Sequence, residues 1–191
     1  MVDIARSEFI LGGQKSGKSR RAEGIARDWL AADSAHQAVL IATAQAWDEE
    51  MRERIDRHRA DRAQRVPGIA TVEEPVALAD ALRDASDART LVVVDCLTLW
   101  LTNLMMPAPL APPRDAAGVA VAADGLCAAI AAAPGPVVLV SNEIGLGVIP
   151  LGREVRAFVD ALGRLNQQVA AACERVTLMA AGLPLGLKDS A

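Results

Sequence analysis

The sequence contains few aromatic residues and no excess of cationic over anionic charge, and both features narrow the classes of protein it can belong to. Phe, Trp and Tyr together make up 3% of the 191 residues, and tyrosine does not occur. Much of the 52% hydrophobic content is alanine, which favours closely packed helices on a sheet over an all-β sandwich. We therefore expect an α/β fold in one domain over residues 1–191, with enough apolar residues for a full core.

The net charge of −4 gives no basic field of the kind that attracts nucleic acid. Cys96, Cys127 and Cys173 are odd in number, widely spaced and set in apolar stretches. They are therefore expected to be buried free thiols in a reducing cytoplasm, not a disulfide or a metal site. No apolar run is long enough for a signal peptide or a span of ~20 residues, so we expect a cytoplasmic protein without a membrane span.

Short apolar runs alternate with helix-period segments, which predicts a mainly parallel sheet covered by helices on both faces, in three layers. Strands are expected at 7–11, 39–42, 71–75, 91–95, 137–140 and 176–180, the last of them ending the sheet. Helices are expected at 18–30, at 48–62, after 71–75 with Pro75 in the first turn, and at 154–175. The Ala- and Pro-rich stretch 107–136 is interpreted as a loop over 107–113 and then a helix, an elaboration of the same domain. The 154–175 helix has one apolar stripe, formed by Val155, Phe158, Val159, Leu162, Leu165 and Val169.

The clearest motif follows the first predicted strand. Gly12-Gly13-Gln14-Lys15-Ser16-Gly17-Lys18-Ser19 matches G-x-x-x-x-G-K-S, and we call residues 12–19 the phosphate loop. Its glycines let backbone N–H groups turn towards phosphate oxygens, and the following helix presents its positive N-terminus to the same anion. Lys18 is expected to reach the β and γ phosphates, and the Ser19 hydroxyl to bind Mg²⁺. A strand before and a helix after the motif argue against a chance match.

Asp95 ends the apolar strand 91–95, where a P-loop protein holds its Mg²⁺ directly or through water. The simpler interpretation is an acidic residue that marks the strand's exit to the surface. A P-loop alone does not settle the reaction. A GTP switch needs an Asn-Lys-x-Asp segment, which is absent, and Ser141-Asn142-Glu143 lacks the Lys and the Asp. A motor needs a larger chain, so a small-molecule transferase is favoured.

His58 is the candidate nucleophile. Met51, Ile55 and His58 follow i, i+4, i+7 spacing, which places His58 on the inward stripe of a charged helix. Arginines at 57, 59 and 62 should disfavour the imidazolium, and a neutral imidazole can attack phosphorus. From spacing alone, a half-buried surface histidine remains the simpler interpretation. His36 lies in a polar stretch and is interpreted as a loop residue.

Six linked segments together resemble the bifunctional adenosylcobinamide kinase / adenosylcobinamide-phosphate guanylyltransferase family of cobalamin biosynthesis. They are residues 12–20 (GGQKSGKSR), 41–45 (IATAQ), 48–59 (DEEMRERIDRHR), 94–104 (VDCLTLWLTNL), 138–150 (VLVSNEIGLGVIP) and 163–170 (GRLNQQVA). Only 107–136 carries little resemblance. The resemblance implies phosphorylation of adenosylcobinamide by ATP or GTP, then transfer of GMP from GTP to the resulting phosphate.

The resemblance also implies site residues and partners. His58 would carry the GMP, with Lys18 assisting, and Ser19 and Asp95 would bind Mg²⁺. It further implies a corrinoid substrate and a homo-oligomer, namely a trimer. The implied nucleotide contacts are Gly12, Gly13, Gln14, Lys15, Ser16, Gly17, Lys18, Ser19, Ala42, Thr43, Ala44, Arg59, Ala60, Asp61, Arg62, Glu73 and Asp95.

Two departures from the family pattern bear on the site. Asp95 stands where members often have Glu, which leaves its direct or water-mediated role open, and residues 68–70 lack the large residue that often precedes Thr71. Retention of only one activity and a non-catalytic nucleotide-binding protein remain the alternatives. Whether both reactions share one nucleotide pocket, the donor preference and the corrinoid contacts are left open.

Overall fold

The computed structural model describes residues 4–46, 48–107 and 111–190. Within them the chain forms one seven-stranded sheet in the order β3-β2-β4-β5-β1-β6-β7. The strands are β1 (Ser7–Gly12), β2 (Gln37–Ala42), β3 (Ala70–Glu73), β4 (Thr90–Asp95), β5 (Val137–Asn142), β6 (Arg175–Ala180) and β7 (Leu183–Asp189). The helices are α1 (Lys18–Ala32), α2 (Glu49–Arg65), α3 (Leu78–Ala85), α4 (Leu97–Met105), α5 (Ala116–Ala132) and α6 (Arg153–Ala172).

The central strands are buried on both faces, as their unbroken apolar sequences predict. In β4, Val92 and Val94 face a core shared with α3, α4, α5 and α6. Leu91 and Val93 face the opposite core, which contains residues of α1 and Val66 after α2. The three-layer α/β fold expected from the alternation of elements is therefore confirmed.

Parallel pairing collects the carboxyl ends of the strands at one edge of the sheet. Gly12 of β1 lies opposite Asn142 of β5, and Asp95 of β4 lies opposite Ala42 of β2. Ala42 is also paired with Glu73 at the end of β3. In open α/β sheets, ligands bind outside this edge, so the fold brings the separate sequence motifs to one place.

The strand that ends at Ala180 was expected to be the last of the sheet, but a further strand follows it. Ala181 and Gly182 form a two-residue turn with positive φ angles of 52° and 82°, and β7 then pairs antiparallel with β6. Such a turn matches the twist of the two strands. The Nζ of Lys188 on β7 donates to the Ala170, Ala171 and Cys173 carbonyls at the end of α6, which fastens the strand to the helix.

Two smaller expectations were also wrong, and one helix was missed. Pro75 does not lie in a first helical turn, because α3 begins at Leu78 and the Glu74 carboxylate instead accepts from the Val76 and Ala77 N–H groups. Val155 does not belong to the buried stripe of α6, since it is 53% exposed. Helix α4, buried on most sides, was not predicted as a helix at all.

The three cysteines are free, as expected, with Cys96 and Cys173 buried and Cys127 half-buried. Burial raises the pKa of the Cys96 and Cys173 thiols to about 12, so both remain protonated near neutral pH. None of the described helices combines the length and apolar character needed to cross a membrane.

Candidate functional site

The phosphate loop joins the end of β1 to the start of α1, the position that its sequence motif requires. Gly17 is the N-cap of α1 with φ 101°, a conformation that glycine adopts without strain. Gly12 has φ 154°, and a Cβ there would lie 2.5 Å from both the Met179 carbonyl oxygen and the Ser16 Oγ. Glycine is therefore needed at position 12 for space as well as for backbone conformation.

Two polar groups of the loop are buried with few partners. Lys18 is buried at the start of α1, and its Nζ donates to the Gly13 carbonyl oxygen at 2.6 Å. Burial lowers the Lys18 pKa from its ordinary value, and the nearby Asp95 opposes this effect. The Ser16 Oγ is buried and has no hydrogen-bond partner among the residues that the structure describes. Because unsatisfied buried polar groups are costly, this loop is suited to an incoming anion.

His58 lies on α2, whose first turn is capped by the Asp48 carboxylate accepting from the Met51 N–H at 2.7 Å. Met51 and Ile55 are half-buried, but His58 is exposed, so the expectation of an inward-lying histidine is corrected. His58 lines a cavity of about 1260 Å³. The phosphate loop from Gln14 to Ser19 lines the same cavity, which therefore brings the candidate nucleophile and the candidate phosphate site together.

Ion pairs attach α2 to the elements around this cavity. Arg65, at the end of α2, bonds to the buried Glu23 of α1 at 2.9 Å. Arg59 forms an ion pair with Glu73 at the end of β3. Two of the implied nucleotide contacts are thus paired with each other, and the helix that bears His58 is connected directly to the helix of the phosphate loop.

Arg62 differs from its neighbours because it is buried. One of its terminal nitrogens donates to the Thr71 Oγ1 at 3.3 Å, while its Nε has no hydrogen-bond partner within the described part of the chain. A guanidinium is always charged near neutral pH and presents five N–H donors. Arg62 therefore places an under-satisfied positive group in the cavity wall, on the same helix as His58.

Most of the residues singled out from the sequence line the cavity together. They are Gln14, Lys15, Ser16, Gly17, Lys18, Ser19, Ala42, Ala44, His58, Arg59, Asp61, Arg62, Glu73 and Asp95. Gly12, Gly13, Thr43 and Ala60 are not part of its lining. Thr43 is fully buried, and its Oγ1 bonds to the backbone N–H and carbonyl of Cys96 at 3.0 and 2.7 Å. It holds the segment after Asp95 in place.

The residues expected to hold a metal ion fit a nucleotide-supported Mg²⁺ site. Ser19 and Asp95 are both half-buried and both line the cavity. Among the described residues, no cluster of three or more His, Cys, Asp or Glu side chains is suited to a metal ion. Mg²⁺ is commonly bound by one or two protein oxygens together with substrate phosphates, and a hydroxyl and a carboxylate suit that arrangement.

Sequence reasoning missed two asparagines. Asn103 is buried in α4, and its side-chain amide donates to the Thr43 carbonyl at 2.7 Å and the Pro75 carbonyl at 3.1 Å. It thereby holds the loops that follow β2 and β3. Asn142 ends β5 and lines the cavity. Each asparagine is a polar residue within or directly after an apolar segment. The same pattern identified Asp95 and could have identified both asparagines.

Comparison with known proteins gives one consistent family. The family described as cobinamide kinase / cobinamide phosphate guanyltransferase matches residues 8–187. The bifunctional adenosylcobalamin biosynthesis protein CobP of Pseudomonas aeruginosa is 48% identical over 184 residues, which cover 95% of this chain and 96% of that protein. The corresponding protein CobU of Escherichia coli is 36% identical, over 94% of this chain and 98% of its own length.

A solved structure supports the fold alone. The flagellar accessory protein FlaH from Methanocaldococcus jannaschii superposes with a TM-score of 0.55 at 10% identity, over 97% of this chain and 79% of that one. At this level of identity the likeness concerns the arrangement of helices and strands, which different activities share.

Proposed function

Because this chain belongs to the cobinamide kinase / cobinamide phosphate guanyltransferase family, we propose that one cavity serves both reactions and that His58 carries the GMP group from GTP to the corrinoid phosphate in the second of them. The family makes the chain an enzyme of cobalamin biosynthesis with both activities. The observation that supports the proposal most is the shared cavity, which both His58 and the phosphate loop line.

In the first reaction, the hydroxyl of the aminopropanol arm of adenosylcobinamide attacks the γ phosphorus of ATP or GTP. A new O–P bond forms, the bond from the γ phosphorus to the β–γ bridging oxygen breaks, and the hydroxyl proton is released. The products are adenosylcobinamide phosphate and a nucleoside diphosphate. Lys18 and the N-terminus of α1 offset the charge that accumulates on the departing diphosphate.

In the second reaction, a ring nitrogen of His58 attacks the α phosphorus of GTP. An N–P bond forms, the α–β phosphoanhydride bond breaks, and pyrophosphate leaves while bound by the phosphate loop. The phosphate of the corrinoid then displaces His58 from the GMP group, which gives adenosylcobinamide-GDP and regenerates the unmodified His58 side chain. The buried Arg62, with its unpartnered Nε, is placed to neutralise phosphate charge during both displacements.

We propose that Ser19 and Asp95 hold Mg²⁺, which supplies charge neutralisation on the phosphates when it is bound. We propose that the nucleoside contacts the other implied residues that line the cavity, namely Ala42, Ala44, Asp61 and the Arg59–Glu73 pair. The backbone of Gly12, Gly13, Thr43 and Ala60 is proposed to shape the same site from behind its lining.

Product analysis tests the two activities separately. The protein is incubated with adenosylcobinamide and Mg²⁺, with either ATP or GTP, and the corrinoids are separated by chromatography. We expect adenosylcobinamide phosphate with either nucleotide and adenosylcobinamide-GDP with GTP alone. A missing phosphorylated corrinoid would exclude the kinase step. If no pyrophosphate is released from GTP after adenosylcobinamide phosphate is added, the transferase step is excluded. If both activities are absent, the protein is a nucleotide-binding protein without catalytic activity.

We also propose that the protein is a homo-oligomer, a trimer, located in the cytoplasm. The segment after β5 exposes several apolar side chains almost fully, namely Leu146 (82%), Val148 (97%), Ile149 (77%) and Leu151 (97%). Contiguous apolar surface of this kind is typical of protein–protein contacts. Light scattering after gel filtration should give a mass above that of one chain, and Val148→Asp should lower it. A monomeric wild-type protein would contradict the proposal.

A further inference from the structure

Asn142 lies between the two strands that supply the phosphate loop and the acidic residue. It ends β5, where its register partner on β1 is Gly12, the first residue of the loop. On the other side of β5, Asp95 of β4 is paired with Val140, two residues before Asn142. Asn142 is half-buried and lines the cavity together with Lys18 and Asp95.

The backbone of Asn142 is fixed by neighbouring side chains. Its N–H donates to the Thr98 Oγ1 at 2.9 Å, and its carbonyl accepts from the Asn166 Nδ2 at 3.1 Å. The next N–H, that of Glu143, donates to the Gly12 carbonyl at 3.0 Å, which ties this strand end directly to the loop. The position of residue 142 relative to the phosphate loop is therefore set without any contribution from its own side chain.

The side chain of Asn142 is left without a hydrogen-bond partner in the part of the chain that the structure describes. A carboxamide offers two N–H donors and carries no charge. Phosphate oxygens only accept hydrogen bonds, and hydrogen bonds to charged groups are the stronger ones. A fixed, neutral donor at the rim of a triphosphate site is suited to contact the phosphate furthest from the nucleoside.

We propose that the side-chain amide of Asn142 donates to the terminal phosphate group of the nucleoside triphosphate, so that the site distinguishes a triphosphate from a diphosphate. This inference rests on the proposed placement of the phosphates in the loop. It also gives a role to the segment 141–143, which lacks the Lys and the Asp of a guanine-reading motif. Asn142 would hold the group that is transferred in the kinase step and the far end of the pyrophosphate in the transferase step.

Titration of GTP and GDP separates this contact from general nucleotide binding. Both nucleotides are titrated with Mg²⁺ by calorimetry, in a His58→Ala background that prevents the covalent adduct. Asn142→Ala is expected to weaken GTP binding about tenfold, the effect of losing one hydrogen bond to a charged group, and to leave GDP binding within about twofold. The matched control is Gln37→Ala, which removes an exposed side chain at the amino end of β2 and should change neither affinity.

Asn142→Asp distinguishes a donor from a metal ligand while it preserves side-chain shape. A carboxylate facing the terminal phosphate should weaken GTP binding further than alanine does. Tighter GTP binding by Asn142→Asp would show that the side-chain oxygen binds Mg²⁺ and would overturn the inference. It also serves as the second variant if Asn142→Ala fails to fold.

The outcomes distinguish failure of the Asn142 contact from failure of the phosphate-loop assignment. An unchanged ratio of GTP to GDP affinity in Asn142→Ala, with a parent that prefers GTP, would disprove the Asn142 contact alone. An equal loss for both nucleotides would also overturn it, because the terminal phosphate would not be the group contacted. A His58→Ala protein that binds no GTP would disprove the phosphate-loop assignment together with the inference.

Discussion

Replacing His58 with alanine is expected to abolish the covalent GMP adduct that forms when the protein is incubated with GTP and Mg²⁺. In the proposed transferase step the imidazole of His58 attacks the α phosphorus, and no other described residue that lines the cavity is a histidine. GMP transfer should therefore fall by a factor on the order of 10³ or more, while kinase activity should stay within about threefold. Intact-protein mass spectrometry measures the adduct, and peptide mapping locates it.

The matched control is His36→Ala, which removes the only other histidine in the sequence. His36 stacks on Trp29, with ring centroids 3.6 Å apart, just before β2 and therefore at the edge of the sheet opposite the cavity. This variant should form the adduct in full. An adduct of unchanged yield in His58→Ala, or its disappearance in His36→Ala at intact fold, would contradict the assignment. Because His58 is exposed, His58→Ala should change the free energy of unfolding by only about 0.5 kcal/mol or less.

Replacing Lys18 with methionine is expected to slow both reactions by a factor on the order of 10² to 10³. Its ammonium is the buried cation of the phosphate loop, and in the proposed reactions a nucleoside diphosphate or pyrophosphate departs from that loop. The comparison variant is Lys15→Met, since Lys15 belongs to the same loop but is exposed, and it should lose less activity. Steady-state rates of the two steps, measured with separate substrates, test this. Loss of one activity alone would contradict a shared loop.

Thermal unfolding measures the effect of Lys18 on stability, independently of catalytic activity. Burial lowers the Lys18 pKa, so the fold disfavours the charged form, and that cost applies at every pH below the folded pKa. It is relieved as the pH rises from the folded towards the unfolded pKa. Lys18→Met should therefore unfold at the same temperature as the wild type or higher, and should lack this pH dependence. A large loss of stability would show that the bond from Lys18 to Gly13 holds the loop together.

The parts of the fold that could be predicted from sequence are those with local causes. The phosphate loop needs glycine at fixed positions, and β4 is an unbroken apolar run, so both are visible in short segments. The charged helix was also predicted, although α2 continues to Arg65, one turn beyond the expected end. His58 was assigned through the family resemblance, because its spacing alone suits an ordinary surface residue.

The parts that were missed depend on partners far away in sequence. Strand β7 is exposed along most of its length and contains Pro184 and Gly186, so its residues do not resemble a strand until β6 is beside them. Helix α4 is apolar on nearly every side, which hides the helical period. Asn142 appears as an ordinary strand end until the sheet order places it next to Gly12.

The hydrogen bond from Lys18 to the Gly13 carbonyl positions the ammonium before any nucleotide is bound. An ammonium carries three N–H donors, and this bond uses one of them, so two donors remain for phosphate oxygens. Binding of a triphosphate at the proposed site therefore does not require Lys18 to give up its backbone partner. The same bond can hold the side chain in place after the diphosphate or pyrophosphate of either proposed reaction has departed, ready for the next nucleotide.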